Sequence, residues 1–324
     1  MQVKVVALLI LVAFLLSGGF FIFDGAPSTD VLPSVLSATS TKATSRSLPE
    51  EPAQSVSTRA TSTATTIEWG VFLGEGAPPM REFETQVGIS PNIEAIFLGW
   101  PQSFPTTVGS VCSSGKTLLI FWENFGHSLD DIIAGKYDSY LVSFAKDAAA
   151  YRCPIILSIF HEMNGNWDDW DGTVGQNNPG KIIASWRHVH DSFSAANVKW
   201  AWVINSNSVP DTPENAADSY YPGSAYVDYV GVDGFNFGSP WLSFGEIFDA
   251  PVAMLQKYKK PIYISSFASA AGAKKAVWIK EAMEHMKTYP NLAGFVWFDE
   301  KQVSADFLID SDPTSFSAFS AIVH

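Results

Sequence analysis

The amino-acid sequence predicts an α/β fold, a (β/α)8 TIM barrel formed by residues 67–324. Short apolar runs rich in β-branched and aromatic residues alternate there with longer segments of helical character, which is typical of parallel strands joined by helices. Eight such runs occur, and each is apolar nearly throughout, as expected for strands covered on both faces. Roughly 260 residues is also the length at which one such barrel closes around a single core.

The predicted strands are separated by intervals that leave room for connecting helices. They comprise residues 68–73, 95–100, 117–122, 154–160, 198–204, 227–232, 261–264 and 292–298. Helices are predicted at residues 137–151, 181–196, 250–257 and 274–288. Because the binding and catalytic groups of such barrels lie where strands end, the residues that follow each run are the candidates for function.

The first 66 residues differ in character from the barrel. Lys4 precedes an unbroken apolar run at residues 5–16, so residues 1–25 are interpreted as an export element, either a cleaved signal peptide or a signal anchor. The lone lysine on the N-terminal side favours an anchor. Residues 26–66 are rich in serine and threonine without periodicity, which predicts a disordered linker. Both segments predict an extracellular barrel, secreted or tethered to the membrane.

The net charge and the composition of the sequence indicate which class of ligand to expect. A net charge of −13 with 20 lysine and arginine residues argues against nucleic acid, which requires clustered basic side chains. No glycine loop for phosphate and no cofactor motif is present in the sequence, so no cofactor is expected. The 11 tryptophans, 10 tyrosines and 23 phenylalanines suit a neutral sugar ligand, on which aromatic rings stack. A monomer is the default expectation.

Two cysteines, Cys112 and Cys153, precede the third and fourth predicted strands. In an exported protein such a pair indicates a disulfide. Two buried, unpaired thiols would give the same sequence pattern, so both alternatives stay open.

The segment with the strongest chemical signal is residues 160–170, at the end of the fourth predicted strand. Glu162 lies there between His161 and Asn164, and Trp167 and Trp170 follow a few residues later. A carboxylate in this setting suits a general acid that protonates a glycosidic oxygen while aromatic rings support the sugar. A helical zinc motif would need a second histidine four residues after the first, which this segment lacks, so no metal is expected.

Further segments match the pattern of a known family, at residues 122–123, 135–138, 161–165, 232–238, 260–264 and 297–300. On these motifs the sequence resembles glycoside hydrolase family 26 over nearly the whole barrel. The resemblance implies activity on a β-linked polysaccharide, with β-1,4-mannan expected before β-glucan, and Glu162 as the acid/base. It also implies a set of substrate-side residues, namely His161, Asn164, Trp167, Trp170, Trp122, Phe235 and Trp297.

The sequence departs from the family pattern where the attacking carboxylate is expected. A retaining glycosidase needs a second carboxylate about 5 to 5.5 Å from the acid, and the resemblance places that glutamate at Ser266. Phe235 occupies the position of a tyrosine and Ser158 that of a frequent arginine. Because a neutral hydroxyl without an adjacent base is a poor nucleophile, hydrolysis is expected to be impaired.

Two functional hypotheses follow from this departure. The first is a glycoside hydrolase whose turnover is weak or follows an altered mechanism. The second is a non-catalytic carbohydrate-binding protein displayed at the cell surface. Other carboxylates at predicted strand ends are Asp233, Asp299 and Glu300, and an inverting route would pair Glu162 with a base whose carboxyl lies roughly 6.5 to 9.5 Å away.

Overall fold

The computed structural model describes residues 67–105, 108–193, 195 and 197–324. Within these residues the chain forms a closed barrel of eight parallel strands in sequence order, with β8 pairing back onto β1. The predicted (β/α)8 barrel is therefore confirmed. The strands are β1 (Glu68–Leu73), β2 (Ile93–Gly99), β3 (Thr117–Glu123), β4 (Ile155–Ile159), β5 (Val198–Asn205), β6 (Tyr229–Asn236), β7 (Ile262–Ser269) and β8 (Leu292–Asp299).

The helices that surround the barrel include four that the sequence analysis did not predict, α1, α2, α3 and α8. Of the predicted helices, α6 begins earlier than expected, because Ser243 and Glu246 form a reciprocal capping box that starts it at Phe244. The helices are α1 (Met80–Val87), α2 (Gly109–Ser113), α3 (Leu129–Ile133), α4 (Asp138–Tyr151), α5 (Pro179–Asp191), α6 (Phe244–Leu255), α7 (Lys275–Met286) and α8 (Pro313–Val323).

Alternate side chains along each strand belong to two separate apolar clusters. One cluster fills the inside of the barrel and the other packs between the strands and the helices, as the two-residue period of a strand requires. Residues on both faces are buried, which explains why the strands are apolar without alternation. The inner cluster comprises Ile93, Ala95, Leu119, Phe121, Ile156, Ala201, Val203, Tyr263 and Val296.

Strand β7 is irregular at the end where function is expected. Its pairing with β6 shifts register at Val232 and Asp233, and its pairing with β8 shifts between Ile264 and Phe267. Ile264 and Phe267 both pack on the helix side, although residues three apart on a regular strand would face opposite sides. The irregularity is a β-bulge, which leaves two consecutive serines, Ser265 and Ser266, opposite Asp233 on β6.

The two cysteines form a disulfide, Cys112–Cys153, with their Cα atoms 5.5 Å apart. Cys112 lies in α2 before β3, and Cys153 lies just before β4. Of the two alternatives that the sequence leaves open, the structure has the disulfide, which links two neighbouring connections at the amino ends of the strands.

Removal of this bridge is expected to destabilise the barrel. The double variant Cys112→Ser/Cys153→Ser should lose about 2–4 kcal/mol of unfolding free energy, because a link between residues 41 apart restricts the unfolded chain. Urea denaturation of oxidised wild type, reduced wild type and the double variant measures the loss. Equal midpoints for all three samples would contradict the prediction.

The predicted export element at residues 1–25 and linker at residues 26–66 lie outside the described residues. Among the helices that are described, none combines the length and the apolar character needed to cross a bilayer.

Candidate active site

The candidate site lies at the carboxyl ends of the strands, where the chain leaves β4 through a tight turn. Phe160 and Glu162 have left-handed backbone angles, with φ of 48° and 57°, a conformation that costs side-chain-bearing residues about 1–3 kcal/mol each. The turn is held by the Glu162 amide, which donates to the Val203 carbonyl at 3.0 Å. It is also held by Trp170, whose indole N–H donates to the His161 carbonyl at 2.8 Å. Such strain is found where a side chain must be aimed.

The Glu162 carboxyl is buried, with 7% of the residue exposed. Its Oε2 accepts a hydrogen bond of 3.0 Å from the indole N–H of Trp167. Burial and the negative charge of Asp233 raise the pKa of Glu162 to about 8, against the opposing effects of His161 and Trp167. Glu162 is therefore mainly protonated at neutral pH, which is the form that a general acid requires.

His161 lies between two carboxylates from opposite sides of the site. Its Nε2 is 3.6 Å from Oε1 of Glu123, and its Nδ1 is 3.8 Å from Oδ2 of Asp233. Burial alone would lower the pKa of this imidazole, but the two carboxylates outweigh it and raise the pKa well above its usual range. An imidazolium in this position balances part of the negative charge that surrounds Glu162.

Asp233 connects the Glu162 region with the bulge of β7. Its Oδ1 accepts a hydrogen bond of 2.6 Å from the Ser265 hydroxyl, and the Ser266 amide also stabilises its charged form. Burial nevertheless raises the pKa of Asp233. The predicted acid and the substituted position thus both lie near one carboxylate, because Asp233 acts on Glu162 through its charge and is stabilised by the Ser266 amide.

The loop after β4 carries two acidic residues whose roles sequence reasoning missed. The Asp171 carboxylate accepts hydrogen bonds from the amides of Trp167 and Asp168 at 2.9 and 3.0 Å, and so shapes the loop. Burial raises the pKa of Asp168 to about 8 and that of Asp171 to about 7. The only signal of these roles in the sequence is the group of three aspartates around Trp170, at positions 168, 169 and 171.

Asn164 was predicted to contact the substrate, but the structure uses its amide group within the protein. Its Oδ1 accepts from the Asn205 amide at 2.8 Å, and its Nδ2 donates to the Asn205 carbonyl at 3.0 Å and to the Ser208 hydroxyl at 3.3 Å. Asn164 therefore joins the loops after β4 and β5, and is a positioning residue.

Three tryptophans that the resemblance predicts as substrate contacts are buried in the structure. Trp122 packs on Phe144 of α4, and Trp297 packs beside Phe267 and α7, both on the helix side of the barrel. Trp170 is fully buried beneath the turn that it supports. Their exposed fractions are 0% for Trp122, 1% for Trp297 and 0% for Trp170.

The aromatic residues that do face the mouth are phenylalanines and Trp167. Phe235 is half-buried and lies near Phe298 at 5.4 Å and Phe237 at 5.9 Å between ring centroids. Phe237 is 45% exposed, and Trp167 is half-buried beside Glu162. Phe235 and Phe237 come from the end of β6 and Trp167 from the loop after β4, so aromatic rings lie beside the carboxyl groups at the ends of these strands.

Among the described residues, no group of three or more His, Cys, Asp or Glu side chains has an arrangement that could hold a metal ion. The side chains around Glu162 include carboxyl groups that can transfer protons and an imidazole whose pKa is raised.

Trp167→Phe is expected to keep the aromatic face but remove the hydrogen bond to Glu162. Because that bond stabilises the ionised carboxylate, its loss should raise the pKa of Glu162 further. The alkaline limb of a pH–rate profile should then move to higher pH. Trp186→Phe, which removes an indole hydrogen bond to the Tyr226 carbonyl and leaves the turn at Glu162 intact, is the matched control. An unchanged limb in Trp167→Phe would contradict the prediction.

Comparisons with known sequences find a family pattern and relatives that are similar to this chain. The sequence pattern of Glycosyl hydrolase family 26 matches residues 130–306. Endoglucanase H of Acetivibrio thermocellus is 34% identical over 258 residues, covering 74% of this chain and 28% of that protein. Mannan endo-1,4-beta-mannosidase A and B of Caldalkalibacillus mannanilyticus is 32% identical over 89 residues, covering 25% of this chain and 16% of that protein. The chain thus spans less than a third of the length of either relative.

A comparison with solved structures supports the fold. A β-mannanase from Bacteroides ovatus superposes with a TM-score of 0.62 at 14% identity, covering 81% of this chain and 89% of that chain. At this level of identity the likeness speaks for the barrel alone.

Proposed function

The chain belongs to glycosyl hydrolase family 26, and from this premise we propose that its barrel acts on a β-linked polysaccharide, with Glu162 as the acid that protonates the glycosidic oxygen. The observation that carries the proposal is the position, burial and raised pKa of Glu162. It is buried at the carboxyl ends of the strands, and its pKa is raised to about 8. A carboxyl group that stays protonated at neutral pH is what glycosidic bond cleavage requires.

The polymer in this proposal is β-glucan or β-1,4-mannan. The longer of the two sequence matches is to a protein named as an endoglucanase, and the shorter is to a mannosidase. This difference favours β-glucan as the first polymer to test, although the sequence motifs alone placed mannan first.

Hydrolysis is proposed to be weak because position 266 carries a serine. The carboxylate beside it, Asp233, is bound by the Ser265 hydroxyl and lies close to His161. The alternative is a pseudoenzyme that binds the polymer without cleaving it, and the same serine is the observation that favours it. In both cases the half-buried Trp167 and Phe235 are proposed to contact the sugar.

The location proposed for the barrel is extracellular, and a monomer is proposed. The support is the apolar run at residues 5–16 followed by the serine- and threonine-rich segment to residue 66, which suits a secreted or membrane-tethered protein.

Binding and cleavage, measured together on the full chain, test the proposal. Calorimetric titration with cello- and manno-oligosaccharides is combined with reducing-sugar release from lichenan and β-mannan. Release that is lost in Glu162→Gln supports the hydrolase, and binding without release supports the pseudoenzyme. If neither binding nor release occurs on any of these polymers, the proposal fails.

A further inference from the structure

We propose that Phe237 is a further sugar-binding residue on the rim of the barrel, where its ring stacks on a sugar unit of the polysaccharide that lies beyond the bond to be cleaved. The inference rests on the proposed function, because it extends the same binding surface. Phe237 takes no part in the chemistry, and its role is to hold a longer stretch of the polymer across the mouth.

Phe237 is exposed to an extent that no other aromatic residue in the described part of the chain reaches. Its exposed fraction is 45%, whereas the remaining aromatic side chains there are buried or half-buried. It directly follows β6, at the same end of the barrel as Glu162. Because single exposed apolar side chains are common on protein surfaces, the neighbours of this ring decide what its exposure means.

The backbone that carries Phe237 is fixed by Asn236, a fully buried residue. The side-chain oxygen of Asn236 accepts hydrogen bonds from the amides of Gly238 at 3.1 Å and Leu242 at 3.2 Å. Its side-chain nitrogen donates to the Ser269 hydroxyl on β7 at 3.1 Å. The ring therefore has a rigid base, and a surface that is ordered before binding loses little conformational freedom when a ligand contacts it.

A row of neighbouring rings joins Phe237 to the site around the acid. Consecutive ring centroids are 5.4–6.0 Å apart along the row, which comprises Phe237, Phe235, Phe298, Phe97 and His161. His161 directly precedes the acid in the sequence, so Phe237 is the outer end of one continuous aromatic surface. Phe235 is already proposed to contact a sugar, and a neighbouring unit of the same polymer is therefore the ligand within reach of Phe237.

The surroundings of Phe237 favour a neutral ligand. Residues 234–243 carry no charged side chain, so this segment offers no counter-ion to a charged group. Phe307 supports the ring at 5.5 Å between centroids. Trp241 on the same segment is less suited, because the Lys274 ammonium lies over its ring, 5.8 Å from the centroid. The C–H face of a pyranose ring is neutral and apolar, and it stacks on an aromatic ring such as that of Phe237.

A stacking position beyond the cleaved bond determines how affinity depends on the length of the sugar chain. Short oligosaccharides that fill the positions next to Glu162 do not reach Phe237, whereas longer ones do. One aromatic stacking contact changes a dissociation constant by roughly 3–10-fold. The barrel should therefore bind long oligosaccharides more tightly than short ones, and Phe237 should account for that difference.

Calorimetric titration of the full chain with cello- and manno-oligosaccharides of two to six units tests the inference, in a Glu162→Gln parent that prevents turnover. Phe237→Ala is expected to raise the dissociation constant of the hexasaccharide by roughly 3–10-fold and to leave that of the disaccharide unchanged. The same change at every length, or no change at all, would overturn the inference and leave the proposed function intact. If the parent binds neither series, the proposed function fails and the inference fails with it.

Further variants separate stacking from the loss of apolar volume. Phe237→Leu keeps an apolar side chain without the ring and should bind the hexasaccharide as weakly as Phe237→Ala, whereas Phe237→Trp should bind it at least as tightly as the parent. Phe316→Ala, which removes a half-buried ring from α8 in the helix layer, is the matched control and should bind every oligosaccharide like the parent. Parental affinity in Phe237→Leu would overturn the inference, because stacking would not be the cause.

A second copy of the chain is the other partner that an exposed ring could contact. Sedimentation velocity of the ligand-free parent and of Phe237→Ala distinguishes the two. A parent that sediments as a dimer and a variant that sediments as a monomer would assign Phe237 to a contact between copies and overturn the inference. Identical sedimentation of the two chains is expected, because the ring is proposed to be free for the sugar.

Discussion

Ser266→Glu is expected to raise kcat on the preferred polysaccharide by about a thousandfold, equivalent to roughly 4 kcal/mol of transition-state stabilisation. A glutamate there would supply a carboxylate that attacks the anomeric carbon and offsets the positive charge of the transition state. The product formed first should then be the β-anomer, since two displacements retain configuration.

The environment of position 266 sets a limit to this gain. A new carboxylate would lie near Asp233, whose negative charge would raise its pKa and weaken it as a nucleophile. Phe235 offers no hydroxyl to stabilise the added charge, so the double variant Ser266→Glu/Phe235→Tyr is expected to exceed the single variant.

Ser266→Gln is the matched control for this experiment, because it fills the same volume without the charge. Initial rates of reducing-sugar release compare the three variants with wild type. If Ser266→Gln matches Ser266→Glu, the gain does not come from a carboxylate, and the interpretation of position 266 is wrong.

Glu162→Gln is expected to lower kcat on polysaccharide by about 10²–10⁴-fold, the contribution of a general acid. The wild-type rate should be highest below pH 8 and fall as the pH rises through about 8, because burial raises the pKa of Glu162 to that value and only the protonated form donates. The glutamine variant should lack this alkaline limb.

A substrate with a better leaving group than the polysaccharide provides the internal control for the Glu162→Gln variant. A dinitrophenyl β-glycoside releases a weakly basic phenolate that needs little protonation, so Glu162→Gln should lose far less activity on it than on polysaccharide. Equal losses on both substrates would argue that the substitution damages the site as a whole.

The barrel was predictable from the sequence because its strands are buried on both faces and so form continuous apolar runs. The same continuity concealed which residues point inward. Two residues of such runs, Trp122 and Trp297, were expected to contact the substrate, yet both pack on the helix side. Because adjacent positions on a strand face opposite sides, a run without alternation does not reveal the face.

The position of Glu162 was predictable and its surroundings were not. Glu162 lies in a compact motif next to its partner Trp167, within five residues of sequence. Asp233 and Ser265 are 32 residues apart in the sequence and meet through a bulge in β7. No turn-forming residue in the sequence indicates that bulge. Burial raises the pKa of Glu162 and Asp168 only once distant strands close around them.

The disulfide and the acid occupy opposite ends of the barrel. Cys112 and Cys153 link the connections that enter β3 and β4, whereas Glu162 follows the point where β4 leaves the barrel. The redox state of the disulfide should therefore affect the stability of the barrel, and pH should affect the proton transfer proposed for Glu162. The stability of the barrel and the pKa of Glu162 can therefore be changed by separate substitutions. A more stable barrel can be sought near the disulfide without altering the groups around Glu162.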